Sequence, residues 1–132
     1  MKKVFANGVF DITHRIHIEL LNYAKSQGDV LYVGIDSDAR VKQLKGPTRP
    51  IHSQEDRKFL LENLKAVDQV FIFHTEDELT GLVKSIEPDI MIVGSDWKDK
   101  SVIGSQHAAE LKFFDRIDGY STTQIIQSII DR

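Results

Sequence analysis

Apolar residues arrive along this chain in two alternating kinds of run. Short, almost unbroken runs lie at Lys3–Ala6, Val30–Ile35, Gln69–Phe73, Asp89–Val93 and Leu111–Phe114. Their length and enrichment in Val, Ile and Phe predict strands covered on both faces. Between them the apolar positions spread to helical spacing. Ile18, Leu20, Leu21, Tyr23 and Ala24 mark a helix over His14–Ser26, with Thr13 as its cap and Gly28 as its stop. Ser53, with Asp56 after it, caps a second helix whose apolar face is Phe59, Leu60, Leu64 and Val67. A short helix over Asp77–Ile86 ends before Pro88, and a last one runs over Thr122–Asp131. The stretch Asp36–His52 is polar, and Gly46-Pro47-Thr48-Arg49-Pro50 at its centre excludes regular structure there.

Strand and helix thus alternate through one domain, residues 1–132, without repeat or linker. That order predicts an α/β fold: a doubly wound, mostly parallel five-stranded sheet with helices on both faces. Ligands of such sheets bind at the carboxyl ends of the strands. The segments Asn7–Thr13, Asp36–His52, Gly94–Lys100 and Asp115–Ser121 each follow a strand, so all should converge on that edge.

Composition narrows the partners. The chain has 132 residues, 41% apolar and 28% charged, with a formal net charge of −3, which speaks against bulk binding of nucleic acid. There is no cysteine, hence no disulfide or thiolate chemistry. No apolar run approaches the roughly 20 residues that span a bilayer, and the one after Lys2-Lys3 is too short for a signal peptide. The expectation is a cytoplasmic protein with no membrane or nucleic-acid partner.

His14 and His17 follow the Gly8-Val9-Phe10-Asp11 turn and lie on one face of the first helical turn. A helix N-terminus presents unpaired N–H groups and a partial positive charge, so imidazoles there add donors to an anion site. A metal shared by the two rings is the rival reading, but neither a cysteine nor a Glu-x-x-His pattern completes it. Ser121-Thr122-Thr123-Gln124 forms a capping box before the apolar run of the last helix, and Arg116 lies just upstream. Lys42, Lys45, Arg49 and Arg57 form a basic cluster in and after the proline-bearing loop. The cluster is either a solvated face or a lid over phosphates, with Lys45 the first choice for a mobile contact and Lys42 the fallback. Arg57 either pairs with Glu55 or Asp56 or meets ligand. Asp11 and Asp96 stand at strand ends, suited to magnesium or a ribose hydroxyl, and Asp11 equally to a turn that accepts local N–H bonds. Trp97 either stacks on a base or shelters the pocket.

Gly8-Val9-Phe10-Asp11-Ile12-Thr13-His14-Arg15-Ile16-His17 resembles the Gly-x-Phe-Asp-x-x-His-x-Gly-His signature of the cytidylyltransferase-like nucleotidyltransferases. Arg116-Ile117-Asp118-Gly119-Tyr120-Ser121-Thr122-Thr123 resembles their Arg-x-x-Gly-x-Ser-Thr-Thr signature. Between them, Leu44–Pro50 and Glu55-Asp56-Arg57 are similar to the nucleotidyltransferase part of ADP-heptose synthases. Gly94-Ser95-Asp96-Trp97 is closer to glycerol-3-phosphate cytidylyltransferases. The resemblance implies a Rossmann-like fold and transfer of an NMP moiety from a nucleoside triphosphate to a small phosphorylated sugar or polyol, with pyrophosphate leaving. CTP is slightly favoured over ATP. It implies His14, His17, Lys45 and Arg116 as catalytic. Gly8, Val9, Phe10, Asp11, Asp96, Trp97, Gly119, Ser121, Thr122 and Thr123 would bind nucleotide, and Lys42, Arg49 and Arg57 are further phosphate contacts. It also implies magnesium accompanying the triphosphate, and a homodimer.

One residue departs from the signature: Ile16 replaces its glycine. A β-branched side chain there points into the core, reshapes the nucleotide pocket, or blocks it and leaves a nucleotide-binding relic.

Overall fold

The computed structural model describes residues 1–115 and 121–132, with Asp96 described by its backbone alone. Five strands form one all-parallel sheet: β1 (Lys3–Gly8), β2 (Val30–Asp36), β3 (Gln69–Phe73), β4 (Ile90–Gly94) and β5 (Glu110–Phe114), in the order β3-β2-β1-β4-β5. The strands alternate with α1 (Arg15–Ser26), α2 (Asp38–Lys45), α3 (Gln54–Glu62), α4 (Glu76–Ile86) and, at the end, α5 (Thr122–Ile130). The predicted doubly wound α/β fold is the observed one.

Period-two alternation divides the core between the two faces of the sheet. Val4 and Ala6 of β1 point with Leu31, Val33 and Ile35 toward Leu21 and Ala24 of α1 and Leu61 of α3. Phe5, between them, points with Met91 and Val93 toward Leu79, Val83 and Ile86 of α4. Since both faces are covered, the strands read as unbroken apolar runs. Between α1 and β2 the chain passes so near β1 that a Cβ on Gly28 would lie 2.7 Å from the Val4 side chain and 2.8 Å from the Lys2 carbonyl. Gly28 is therefore required by close approach of backbone.

Three expectations are corrected. The polar segment Asp36–His52 contains α2, capped by Ser37, whose Oγ accepts from Arg40 N at 3.2 Å. Only Val41 of this helix is buried, so it lacks the apolar stripe that would have announced it. Gly46, at φ 102°, ends it in a conformation that other residues rarely adopt. On α3 the inward face is Arg57 and Leu61, one turn apart, while Phe59 and Leu60 are 65% and 40% exposed. The cap of α1 is His14 rather than Thr13.

Candidate active site

β1 connects through α1 to β2 on one side, whereas β3 connects through α4 to β4 on the other, so the strand order reverses between β1 and β4. At this switch point the carboxyl ends open into a cavity of about 540 Å³. The loops after β1, β2 and β4 and the N-terminus of α5 all contribute to its wall.

The loop after β1 is tightly constrained. Phe10 and Ile12 take φ values of 52° and 49°, a left-handed conformation that costs non-glycine residues about 1–3 kcal/mol and persists only when surroundings enforce it. Phe10 is buried with its ring edge toward His17, at 5.2 Å between centroids. Asp11, 1% exposed, accepts from the backbone N–H of Ile51 at 2.7 Å and of His52 at 2.9 Å. Arg49 Nε lies 3.8 Å from the same carboxylate. Asp11 thus binds a distant loop rather than its own turn, and its oxygens are committed to protein.

His14 and His17 form a capping box built from imidazoles. His14 Nδ1 accepts from Ile16 N, and His17 Nδ1 accepts from His14 N, both at 3.3 Å. The rings stack at 3.9 Å. With Nδ1 an acceptor on each ring, the proton that each imidazole carries in this network is on Nε2. Both residues line the cavity, with His14 Nε2 itself buried. Ile16, 2% exposed, forms part of the wall and leaves the cavity open.

Opposite stand Lys45 at the end of α2 and Arg49 in the following loop. Arg49 Nη1 donates to Thr123 Oγ1 at 3.3 Å, and Thr122 Oγ1 donates to the Asp11 carbonyl at 2.7 Å. Ser121 Oγ accepts from Gln124 N at 3.1 Å, so the N-terminus of α5 is capped as predicted. The structure thereby brings together, around one cavity, Gly8, Val9, Phe10, Asp11, His14, His17, Lys45, Arg49, Trp97, Ser121, Thr122 and Thr123. Trp97 is 41% exposed, with Lys100 Nζ 5.6 Å from its ring centre. Lys42 is exposed and outside the cavity wall. Arg116, Gly119 and the side chain of Asp96 lie outside the described residues.

Arg57 is corrected: it is fully buried and outside the wall, and it pairs with neither Glu55 nor Asp56. Its Nη1 donates to the carbonyls of Val9 and Asp36, each at 2.8 Å, its Nε to that of His52 at 3.0 Å and its Nη2 to Asp38 at 2.8 Å. The guanidinium ties the ends of β1 and β2 to the loop before α3, a structural rather than a ligand-binding position.

Sequence reasoning missed Asn7, Asp36, Arg40 and Glu76, which also line the cavity. Asp36 Oδ1 accepts from Arg40 Nε at 2.7 Å. Burial pushes the Asp36 carboxyl above its ordinary range, against the lowering effect of the Arg40 hydrogen bond and charge and of the Arg57 charge. The signal was a carboxylate at a strand end followed by an arginine four residues on, legible only once the intervening segment is known to be helical.

Comparisons with known proteins give the family. The family model described as cytidylyltransferase-like matches residues 5–128. The bifunctional protein HldE of Sulfurimonas denitrificans is 52% identical over 128 residues, 97% of this chain and 27% of that protein. HldE of Nitratiruptor sp. is 51% identical over 124 residues, 94% of this chain and 27% of that protein. The chain thus spans about a quarter of the length of these curated relatives. Among solved structures, the lipopolysaccharide core biosynthesis protein from Thermoplasma volcanium GSS1 superposes with a TM-score of 0.68 at 31% identity, covering 92% of this chain and 99% of that one. The chain belongs to the cytidylyltransferase-like family.

Proposed function

We propose that this domain transfers an NMP moiety from a nucleoside triphosphate to the phosphate of a small phosphorylated sugar. A phosphate oxygen of the acceptor attacks the α-phosphorus; the new P–O bond forms as the bond to the β-phosphate breaks, and pyrophosphate leaves. A phosphate dianion is already nucleophilic, so the protein's task is in-line positioning and charge neutralisation. The observation that carries the reading is the mutually capped His14–His17 pair, which lines the same cavity as Lys45, Arg49 and the N-terminus of α5. The histidines would donate Nε2–H to phosphate oxygens, Lys45 and Arg49 would balance charge, and the hydroxyls and N–H groups of Ser121–Thr123 would hold the remainder.

Magnesium would accompany the triphosphate. Among the described residues no three His, Asp or Glu side chains group as a metal site, and the Asp11 oxygens already accept protein hydrogen bonds. The described residues thus offer the ion no carboxylate cage.

The loop Leu44–Pro50, similar to that of ADP-heptose synthases, supports ATP and a sugar phosphate; the part of the solved relative in lipopolysaccharide core biosynthesis points to a sugar as well. The Gly94–Trp97 loop supports CTP as the second reading. A homodimer is also proposed, on resemblance, and sedimentation tests it. The deciding assay is pyrophosphate release with ATP or CTP, magnesium, and heptose 1-phosphate or glycerol 3-phosphate. His17→Ala should lower kcat by about 10²–10³ with folding intact, the loss seen on removing one transition-state donor; an unchanged kcat removes His17 from the mechanism. Nucleotide binding without release, with release restored by Ile16→Gly, would identify a relic instead.

A further inference from the structure

The cavity has a second chemistry on its β2–β3 side that the phosphate-binding residues leave unexplained. Asp36 at the end of β2 is 6% exposed, and Phe73 is its register partner on β3. Arg40, on the first turn of α2, is held from both sides: its Nε donates to Asp36 Oδ1 at 2.7 Å, and its guanidinium carbon lies 5.6 Å from the centre of the Phe73 ring. Of the five N–H donors of a guanidinium, Nε–H is thereby used, while Nη1 and Nη2 make no hydrogen bond among the described residues. Among the described residues, Asp36 Oδ2 accepts no hydrogen bond from any other residue. Both side chains line the cavity, as does Glu76 of α4. A fixed donor and a fixed acceptor therefore stand side by side in a partly dry site, where leaving polar groups unmatched is costly.

The charges decide what such a pair takes. Arg40 is neutralised by Asp36, and Arg57, whose charge also reaches Asp36, by Asp38, so this end carries no excess of positive charge. Anions are better served by Lys45, Arg49 and the helix N-termini elsewhere on the same wall. Adjacent donor and acceptor without net positive charge match the hydroxyls of a polyol, each of which both donates and accepts. We propose that the Asp36–Arg40 pair reads neighbouring hydroxyls on the sugar of the phosphorylated acceptor and so sets acceptor specificity. The proposal rests on the transferase reading for the identity of its ligand as an acceptor, but not for the binding itself.

The test is calorimetric titration of the full chain with heptose 1-phosphate and, separately, with inorganic phosphate. Wild type should bind the sugar phosphate more tightly than phosphate. Asp36→Asn and Arg40→Met should each weaken the sugar phosphate by about tenfold, the value of one hydrogen bond to a charged group, and leave inorganic phosphate nearly unaffected. Asp36→Asn keeps an oxygen for Arg40, and Arg40→Met keeps the apolar stem, so both should fold; circular dichroism and nucleotide-induced stabilisation verify it. Three results overturn the proposal: no preference for the sugar phosphate in wild type, no loss in either variant, or weakening by Arg40→Met alongside tightening by Asp36→Asn. The last would mark a second anion site. If instead the wild type binds as expected but releases no pyrophosphate with ATP or CTP, the transferase reading falls and the hydroxyl site stands.

Discussion

Arg57 and Asp36 show how differently two buried charges can serve one protein. Arg57 is fully buried, yet every bond it makes joins separate segments: Val9 and Asp36 at strand ends, His52 before α3 and Asp38 in α2. Removing it strands several buried carbonyls. Arg57→Met should therefore destabilise the fold by about 3–5 kcal/mol, read from urea denaturation. Asp36 runs the other way. Its carboxyl is raised above the ordinary value of 3.8, chiefly by burial. In the unfolded chain it ionises first, so the folded state binds more protons and stability falls as pH rises from about 3.8 through the folded value. Asp36→Asn lacks this fall. Melting curves on both proteins should show the variant gaining stability relative to wild type between acid and neutral pH; parallel curves would mean that Asp36 is not strained by ionisation. A carboxylate kept at a cost to folding, on a cavity wall, is consistent with a ligand-reading role.

At the scale of elements, the cavity depends on a strap that no hydrophobic pattern marks. α2 buries one residue, Gly46 ends it, and the following loop is drawn across the strand ends by Asp11 through Ile51 N and His52 N. Arg49 then reaches α5 through Thr123. The acidic side chain in the glycine turn after β1 is thus an anchor for the lid-like segment carrying Lys45 and Arg49. Asp11→Ala leaves two part-buried donors without their acceptor and frees that segment. It should speed proteolytic cleavage within residues 46–52 and reduce nucleotide-induced stabilisation, with little change in helix content by circular dichroism. Cleavage at the wild-type rate would count against the anchor.

At the scale of the whole molecule, the site is assembled from residues far apart in the chain: His14 and His17 near the start, Lys45 and Arg49 in the first half, Ser121–Thr123 near the end. A nucleoside triphosphate bound across them should stabilise the fold as a unit. At about 100 times its dissociation constant the gain is about 2.7 kcal/mol, visible as a rise in Tm with ATP or CTP. A Tm that ignores both nucleotides would remove the triphosphate from this cavity. Among the described residues no helix is long and apolar enough to cross a membrane.

The sheet, four of its five helices and many residues of the cavity wall were legible because they rest on local signals. Two-face burial makes strands read as apolar runs, helix stripes repeat with the helical period, and Ser53 and Ser121 announce their helices through side chains that bond a few residues away. The histidine pair at i and i+3 belongs to the same class, since adjacent helical turns force the rings together. What escaped was set by contacts across the fold. α2 carries no stripe because it covers a site edge rather than the core. Phe59 and Leu60 look inward by hydrophobicity but lose that face to Arg57 and Leu61, since the charged residue finds its partners only when β1, β2 and the loop before α3 meet. The pairing of Asp36 with Arg40 and the reach of Asp11 to residues 51 and 52 exist only once the chain is folded. By itself, then, the sequence determined the five strands, four of the five helices, their parallel sense and the capped starts of α3 and α5, because each follows from interactions within a few residues. The tertiary structure alone decided which charges face the cavity and which hold its walls, because a buried charge is placed by partners distant in the chain.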